Sequence, residues 1–270
     1  KWAASGIGLQ ILSKLGGIPW LVKPSTADCL IFGIGMAHEI NERRNEGCKI
    51  KKYFAYSVCF DSTGVYKSLG ILGESENQQQ YLKNLEINII AQVKERLQSG
   101  NSITSCVIHT PFKMRYDELK AIKNGLEKLK NEFSSIDFTV IKINTVNRFF
   151  GFADNNLKIP YESSFVKLSK KEYLIWFDGL KHGKEYINKR IANPTHIEFI
   201  YTSNGSNIMS SLQDIVNLAG ASWRGFNAKL VPISIYYPQL IARFIRDFRK
   251  IYAKQDFTNE LAQFSVPWFL

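Results

Sequence analysis

Leu30-Ile31-Phe32-Gly33-Ile34-Gly35-Met36 is a short apolar run interrupted only by two glycines. Its length and composition read as a buried strand, and glycines inside a strand mark places where something approaches the backbone closely. The run is therefore expected to begin a central sheet.

Several classes of protein are set aside by the rest of the composition. At 270 residues, 45% of them apolar and 13% aromatic, the chain suits one large globular α/β domain. A formal charge of +11 and a pI near 9.4 favour a polyanionic partner, because clustered Lys and Arg release the counterions condensed on phosphates. Cys29, Cys48, Cys59 and Cys106 form no C-x-x-C pair and read as free thiols in a reducing compartment. No apolar run reaches the roughly 18 residues that span a bilayer, and no signal peptide opens the chain. A soluble, cytoplasmic protein is expected. Because Lys1 already lies in a helix-like stretch, residues are also expected upstream of it in the parent protein.

Along the chain, residues 5–15 place Ile7, Ile11, Leu12 and Leu15 on one helical face, with Gly16-Gly17 to end the helix. Gln10 and Lys14, four apart, project side by side: an amide and an ammonium suited to a phosphate, or two solvated residues on a surface helix. After Gly35 comes a polar loop over 37–49. There His38-Glu39 begins like a zinc motif, but Glu42 stands where the second histidine belongs, which argues against a metal. Residues 52–60 and 65–72 read as a hairpin turning at Asp61-Ser62-Thr63-Gly64. Glu74 and Glu76 precede a long helix over 78–98, and residues 103–109 read as another buried strand that ends at His109 and leads on through Thr110-Pro111. A helix bearing Leu119, Ile122, Leu126 and Leu129 follows. Further strands are expected at 138–143, 165–168, 173–177 and 196–201, and a helix at 207–219. The last helix starts with Pro238 in its first turn. Its Ile241, Phe244, Ile245 and Phe248 oppose Gln239, Arg243, Arg246 and Lys250, a stripe suited to a nucleic-acid backbone or simply to water.

Two blocks carry a family resemblance. Lys14-Leu15-Gly16-Gly17-Ile18-Pro19-Trp20 resembles the K-L-G-G-x-x-W signature that joins the MID and PIWI parts of Argonaute proteins. The segment Ala221-Ser222-Trp223-Arg224-Gly225-Phe226-Asn227, followed by Leu230-Val231-Pro232-Ile233-Ser234-Ile235-Tyr236-Tyr237-Pro238-Gln239, resembles the closing PIWI block. The resemblance implies an RNase H-like mixed sheet flanked by helices, with residues 1–24 as the end of the MID region and its connection and 25–270 as the PIWI domain. It also implies a guide 5′-phosphate site at Gln10, Lys14 and the carboxylate of Leu270, bridged by a cation such as Mg²⁺. Arg243, Arg246 and Lys250 would carry the nucleic-acid backbone.

Family members that cleave use carboxylates at three positions which here are Gly35, Pro111 and Gln239, the last also being filled by histidine in some. Two-metal cleavage needs hard oxygen ligands converging on a pair of ions about 4 Å apart. These three residues offer one amide oxygen. The resemblance thus implies an inactive PIWI module of the short prokaryotic type, with no catalytic cofactor, that holds a small guide RNA and senses complementary single-stranded DNA. Its implied partner is an APAZ-containing effector, TIR or sirtuin-like, in prokaryotic defence. One alternative is an active RNase H-like nuclease with displaced carboxylates, drawn from Glu39, Asp61, Glu74 and Asp117. Another is an interaction module whose basic stripe meets a protein or a membrane surface.

Overall fold

The apolar run forms β1 (Cys29–Met36), buried along almost its whole length. The computed structural model describes residues 2–43, 47–98, 102–183, 193–203, 205–251 and 264–270. β1 lies at the middle of the sheet, antiparallel to β3 (Gly47–Asp61) and parallel to β5 (Ser105–Pro111), which is in turn parallel to β6 (Asp137–Asn144). β4 (Tyr66–Ser75) pairs with β3. Beyond β6 the sheet continues antiparallel through β9 (Thr195–Thr202), β8 (Glu172–Ile175) and β7 (Phe165–Lys167). The order β4-β3-β1-β5-β6 puts the β3–β4 hairpin on one side of β1 and the parallel strands on the other, the expected RNase H-like arrangement.

Alternation along the strands divides the core in two. Leu30, Phe32 and Ile34 face α2 (Gln78–Gln98) and α3 (Tyr116–Glu132), whose Leu85, Ile89, Leu119 and Ile122 cover that side. The residues between them, Cys29, Ile31, Gly33 and Gly35, face α4 (Ile208–Ala219) and α5 (Ile233–Ile251). Cys29, Cys59 and Cys106 are buried free thiols, and burial pushes Cys29 and Cys59 up to about 12. The Cys48 side chain lies outside the described residues.

Two local expectations are corrected. The segment expected as a loop over 37–49 contains β2 (Glu39–Arg43), which pairs with the first residues of β3. β1 and β2 act almost as one strand, broken where Nδ1 of His38 accepts the Phe54 N–H at 3.0 Å in place of a backbone carbonyl. The final helix begins at Ile233, not at Pro238, so the proline lies inside it. The proline has no N–H to offer the carbonyl of Ser234, four residues back. That carbonyl lies against Gly33 instead, where any Cβ would collide with it. The expected first helix is α1 (Trp2–Lys14), whose apolar Ile7, Ile11 and Leu12 are exposed. The hairpin turn matches its sequence. Asp61 Oδ1 accepts the Thr63 and Val65 N–H groups at 3.0 and 3.1 Å, and Gly64 takes φ +87°.

Candidate nucleic-acid interface

The C-terminal ends of parallel strands leave backbone and loop groups free to line a shared opening. At the ends of β1, β5 and β6, beside the start of α5, lies a groove of about 560 Å³. Gly35, Pro111 and Gln239, far apart in sequence, all line it. So do Lys113, Arg115, Arg243 and Arg246. Among the described residues lining this groove there is no carboxylate, and no group of three His, Cys, Asp or Glu elsewhere among the described residues could hold a metal ion.

The chemistry at position 35 is fixed by its neighbour across the sheet. Gly35 pairs with Tyr56 in the β1–β3 ladder, and the Tyr56 ring occupies the space that a side chain at 35 would enter. Tyr56 is itself fully buried, its hydroxyl donating to the carbonyl of Pro238 in α5. Burial raises its pKa, so the hydroxyl stays a donor. Next to Gly33, His109 is buried with Nδ1 2.6 Å from the Ser234 hydroxyl, and burial lowers its pKa to about 3. This histidine is a neutral pin between β5 and α5.

The displaced carboxylates do not converge on the groove. Asp61 pairs in register with Leu30, five residues from Gly35, or about 17 Å along the strand. It is held by Lys67 at 2.7 Å. Glu39 pairs with Lys51 at 3.2 Å, Glu74 pairs with Lys52, and Asp117 is exposed at the start of α3. Its neighbour Glu118 is buried behind the groove wall. Burial opposes its charge, yet hydrogen bonds from His38, the Tyr81 hydroxyl and the Arg115 N–H bring its pKa below the usual carboxylate range. Glu118 thereby caps α3 beside Arg115, a groove residue that sequence spacing did not single out.

Of the expected basic stripe, Arg243 and Arg246 line the groove with Gln239, while the Lys250 side chain lies outside the described residues. A second, smaller hollow of about 350 Å³ lies between α1 and the 224–227 segment, lined by Gln10, Arg224 and Asn227. Gln10 donates its amide N–H to Gly6 O at 3.2 Å, which leaves its carbonyl oxygen, a hard donor suited to a cation such as Mg²⁺. Lys14 is exposed at the end of α1, one turn further on. The Leu270 side chain is buried with Phe269 in the core, and Val266 lies against Gly16, 3.9 Å from where a Cβ would stand. Chain end and α1 end are thus neighbours. Trp20 and the 220–223 segment are tied reciprocally: Trp20 Nε1 donates to Gly220 O at 3.0 Å and Trp223 Nε1 to Trp20 O at 3.1 Å. The Trp223 N–H in turn donates to the Tyr237 hydroxyl of α5 at 2.9 Å. The two sequence blocks that carry the resemblance therefore form one connected structure. Arg224 and Asn227 were within the second block, but no spacing pattern pointed them at Gln10.

Comparison with known proteins agrees with this fold. The chain is 27% identical to the Piwi protein of Archaeoglobus fulgidus over 97% of its own length and 63% of the relative's. Among solved structures it resembles Clostridium butyricum Argonaute bound to a guide DNA and a 19-mer target DNA, with a TM-score of 0.64, 21% identity and 90% of the chain covered. It also resembles Aquifex aeolicus Argonaute, with a TM-score of 0.65, 17% identity and 98% covered. It spans 30% and 34% of those two chains. The Piwi domain model matches residues 1–250, and with that match across most of its length the chain belongs to the Piwi domain family.

Proposed function

We propose that this chain is the PIWI module of a guide-directed nucleic-acid-binding protein that holds a strand without cutting it. The carrying observation is the single groove in which Gly35, Pro111 and Gln239 meet beside Arg115, Arg243 and Arg246. Where a two-metal nuclease would gather carboxylates, this groove gathers guanidinium groups, whose planar fork suits phosphodiester oxygens. Tyr56 fills the position from which a first carboxylate would reach a metal.

In this reading the hollow beside α1 takes the 5′ phosphate of a small guide RNA through Lys14 and Arg224. A cation there, held by the Gln10 amide oxygen, would offset part of the charge of the phosphate. Complementary single-stranded DNA is then read by base pairing while the protein holds backbone, a division of labour that RNA-guided proteins share. Recognition is passed to an APAZ-containing effector of the TIR or sirtuin-like kind, in cytoplasmic defence of a prokaryotic cell. No helix among the described residues is long and apolar enough to cross a membrane.

The test uses the full-length protein loaded with a 5′-phosphorylated RNA guide. Complementary DNA is expected to bind and to stay intact in Mg²⁺ or Mn²⁺. Arg243→Ala with Arg246→Ala should weaken that binding uniformly across sequences and reduce the slope of log K against log salt by about two. Metal-dependent cleavage of the target, or binding indifferent to both arginines, would overturn the reading.

A further inference from the structure

The groove has an extension that the assigned residues do not explain. Thr145 and Val146, just past the end of β6, line the groove, and the chain then turns outward and displays Phe149, Phe150 and Phe152 at 42%, 67% and 63% exposure. Single exposed apolar residues are ordinary on a protein surface, but three phenylalanines within four positions form a patch.

The loop is built to hold this display. Val146 N–H donates to Asn144 Oδ1 at 2.9 Å and Phe149 N–H to Asn147 Oδ1 at 3.0 Å. The Asn147 amide reaches Asn144 O and Pro194 O at 3.1 and 2.8 Å, tying the loop to the segment that leads into β9. Gly151 rests so closely on the buried Trp176 that a Cβ would stand 2.9 Å from its ring. Phe149 leans on His196 at 5.5 Å, and Phe150 and Phe152 meet edge to face at 5.8 Å and 76°. In their midst Arg148 is exposed, with no ion-pair partner among the described residues.

We propose that this loop is a stacking platform for unpaired bases of the strand whose backbone lies in the groove. The inference rests on the reading of the groove given above. Aromatic faces accept any base, so such a platform adds affinity without choosing a sequence. The charge pattern favours a nucleic acid over an apolar protein face: a covering protein would bury Arg148 unpaired, whereas a strand brings a phosphate to it. Continuity of the loop with the groove wall gives the strand its path from one to the other.

The experiment uses full-length protein and 5′-phosphorylated single strands carrying 2-aminopurine at successive positions. Fluorescence is expected to be quenched on binding at one or two positions. Phe150→Ala with Phe152→Ala should relieve the quench and weaken single-strand binding about ten-fold or more. Phe150→Leu with Phe152→Leu, which keeps apolar bulk and loses the aromatic face, should relieve it too. Absence of any quenched position, or a quench that survives both pairs, overturns the platform. If the arginine pair weakens binding while the phenylalanine pairs change nothing, the groove reading stands and the platform falls. If the phenylalanine pairs relieve the quench while the arginine pair is silent, the loop stacks bases of a strand that does not run through the groove, and the groove reading and the proposal fall together. Conversion of a dimer to a monomer by the phenylalanine pairs in sedimentation, with strand binding unchanged, would assign the patch to self-association and overturn the proposal.

Discussion

Tyr56 and Gly35 act as one unit. The ring fits over position 35 because nothing projects from it, and the hydroxyl satisfies a carbonyl in α5. Gly35→Ala forces the ring aside and is expected to cost about 1–3 kcal/mol in denaturant unfolding, the usual range for overpacking a dense core. Gly35→Asp costs more, since it buries a charge as well, and is expected to confer no metal-dependent cleavage. A double-mutant cycle with Tyr56→Ala should show strong non-additivity, the glycine substitution being much less harmful once the ring is gone. His109 gives a second residue-level prediction. Its folded-state pKa of about 3 lies below the ordinary 6.5, so below pH 6.5 the unfolded chain binds a proton that the folded one does not. Stability is therefore full above 6.5 and falls as acid is added, by about 1.4 kcal/mol per pH unit through the window down to about 3. Measured between 6.5 and 4.5, above the ordinary carboxylate range, the slope should shrink by about one proton in His109→Gln.

At the scale of elements, α5 is the part on which the groove depends. Its first turn sits on β1 through Gly33 and on β5 through the His109–Ser234 hydrogen bond, and its next turns carry Gln239, Arg243 and Arg246 into the groove. Gly33→Ala meets backbone, not a side chain that can swing away, so it should cost about 3 kcal/mol and shift the helix. Strand binding is then expected to fall with stability, whereas Arg243→Ala lowers binding and leaves the melting temperature nearly unchanged. Thermal unfolding and binding measured on both variants separate the two. The break between β1 and β2 is a smaller test of the same kind. His38→Ala removes the acceptor of the Phe54 N–H and one partner of Glu118, and should cost about 1–3 kcal/mol.

Over the whole molecule, the groove and the hollow beside α1 share no lining residue, so their contributions should add. Lys14→Ala is expected to abolish the preference for a 5′-phosphorylated strand. Combined with Arg243→Ala and Arg246→Ala, it should lower affinity by the product of the separate factors. Equal binding of phosphorylated and unphosphorylated strands by the unaltered protein would count against that hollow as a phosphate site. Much of this architecture was legible in the sequence. Short apolar runs gave β1, β5 and β6, and the Asp-Ser-Thr-Gly turn gave the β3–β4 hairpin, because strand burial and turn chemistry are local. The convergence of positions 35, 111 and 239 was legible only through the family resemblance. Arg115, Arg224 and the seat of Pro238 were not legible, since each depends on which segments the sheet order brings together. The Tyr56 ring also sets an order on how this sequence can change. An acidic residue enters position 35 at low cost only after the tyrosine has been shortened, and shortening it first opens a void under α5. Substitutions taken one at a time must cross a less stable intermediate in either order, so this part of the chain is held near its present form by its own packing.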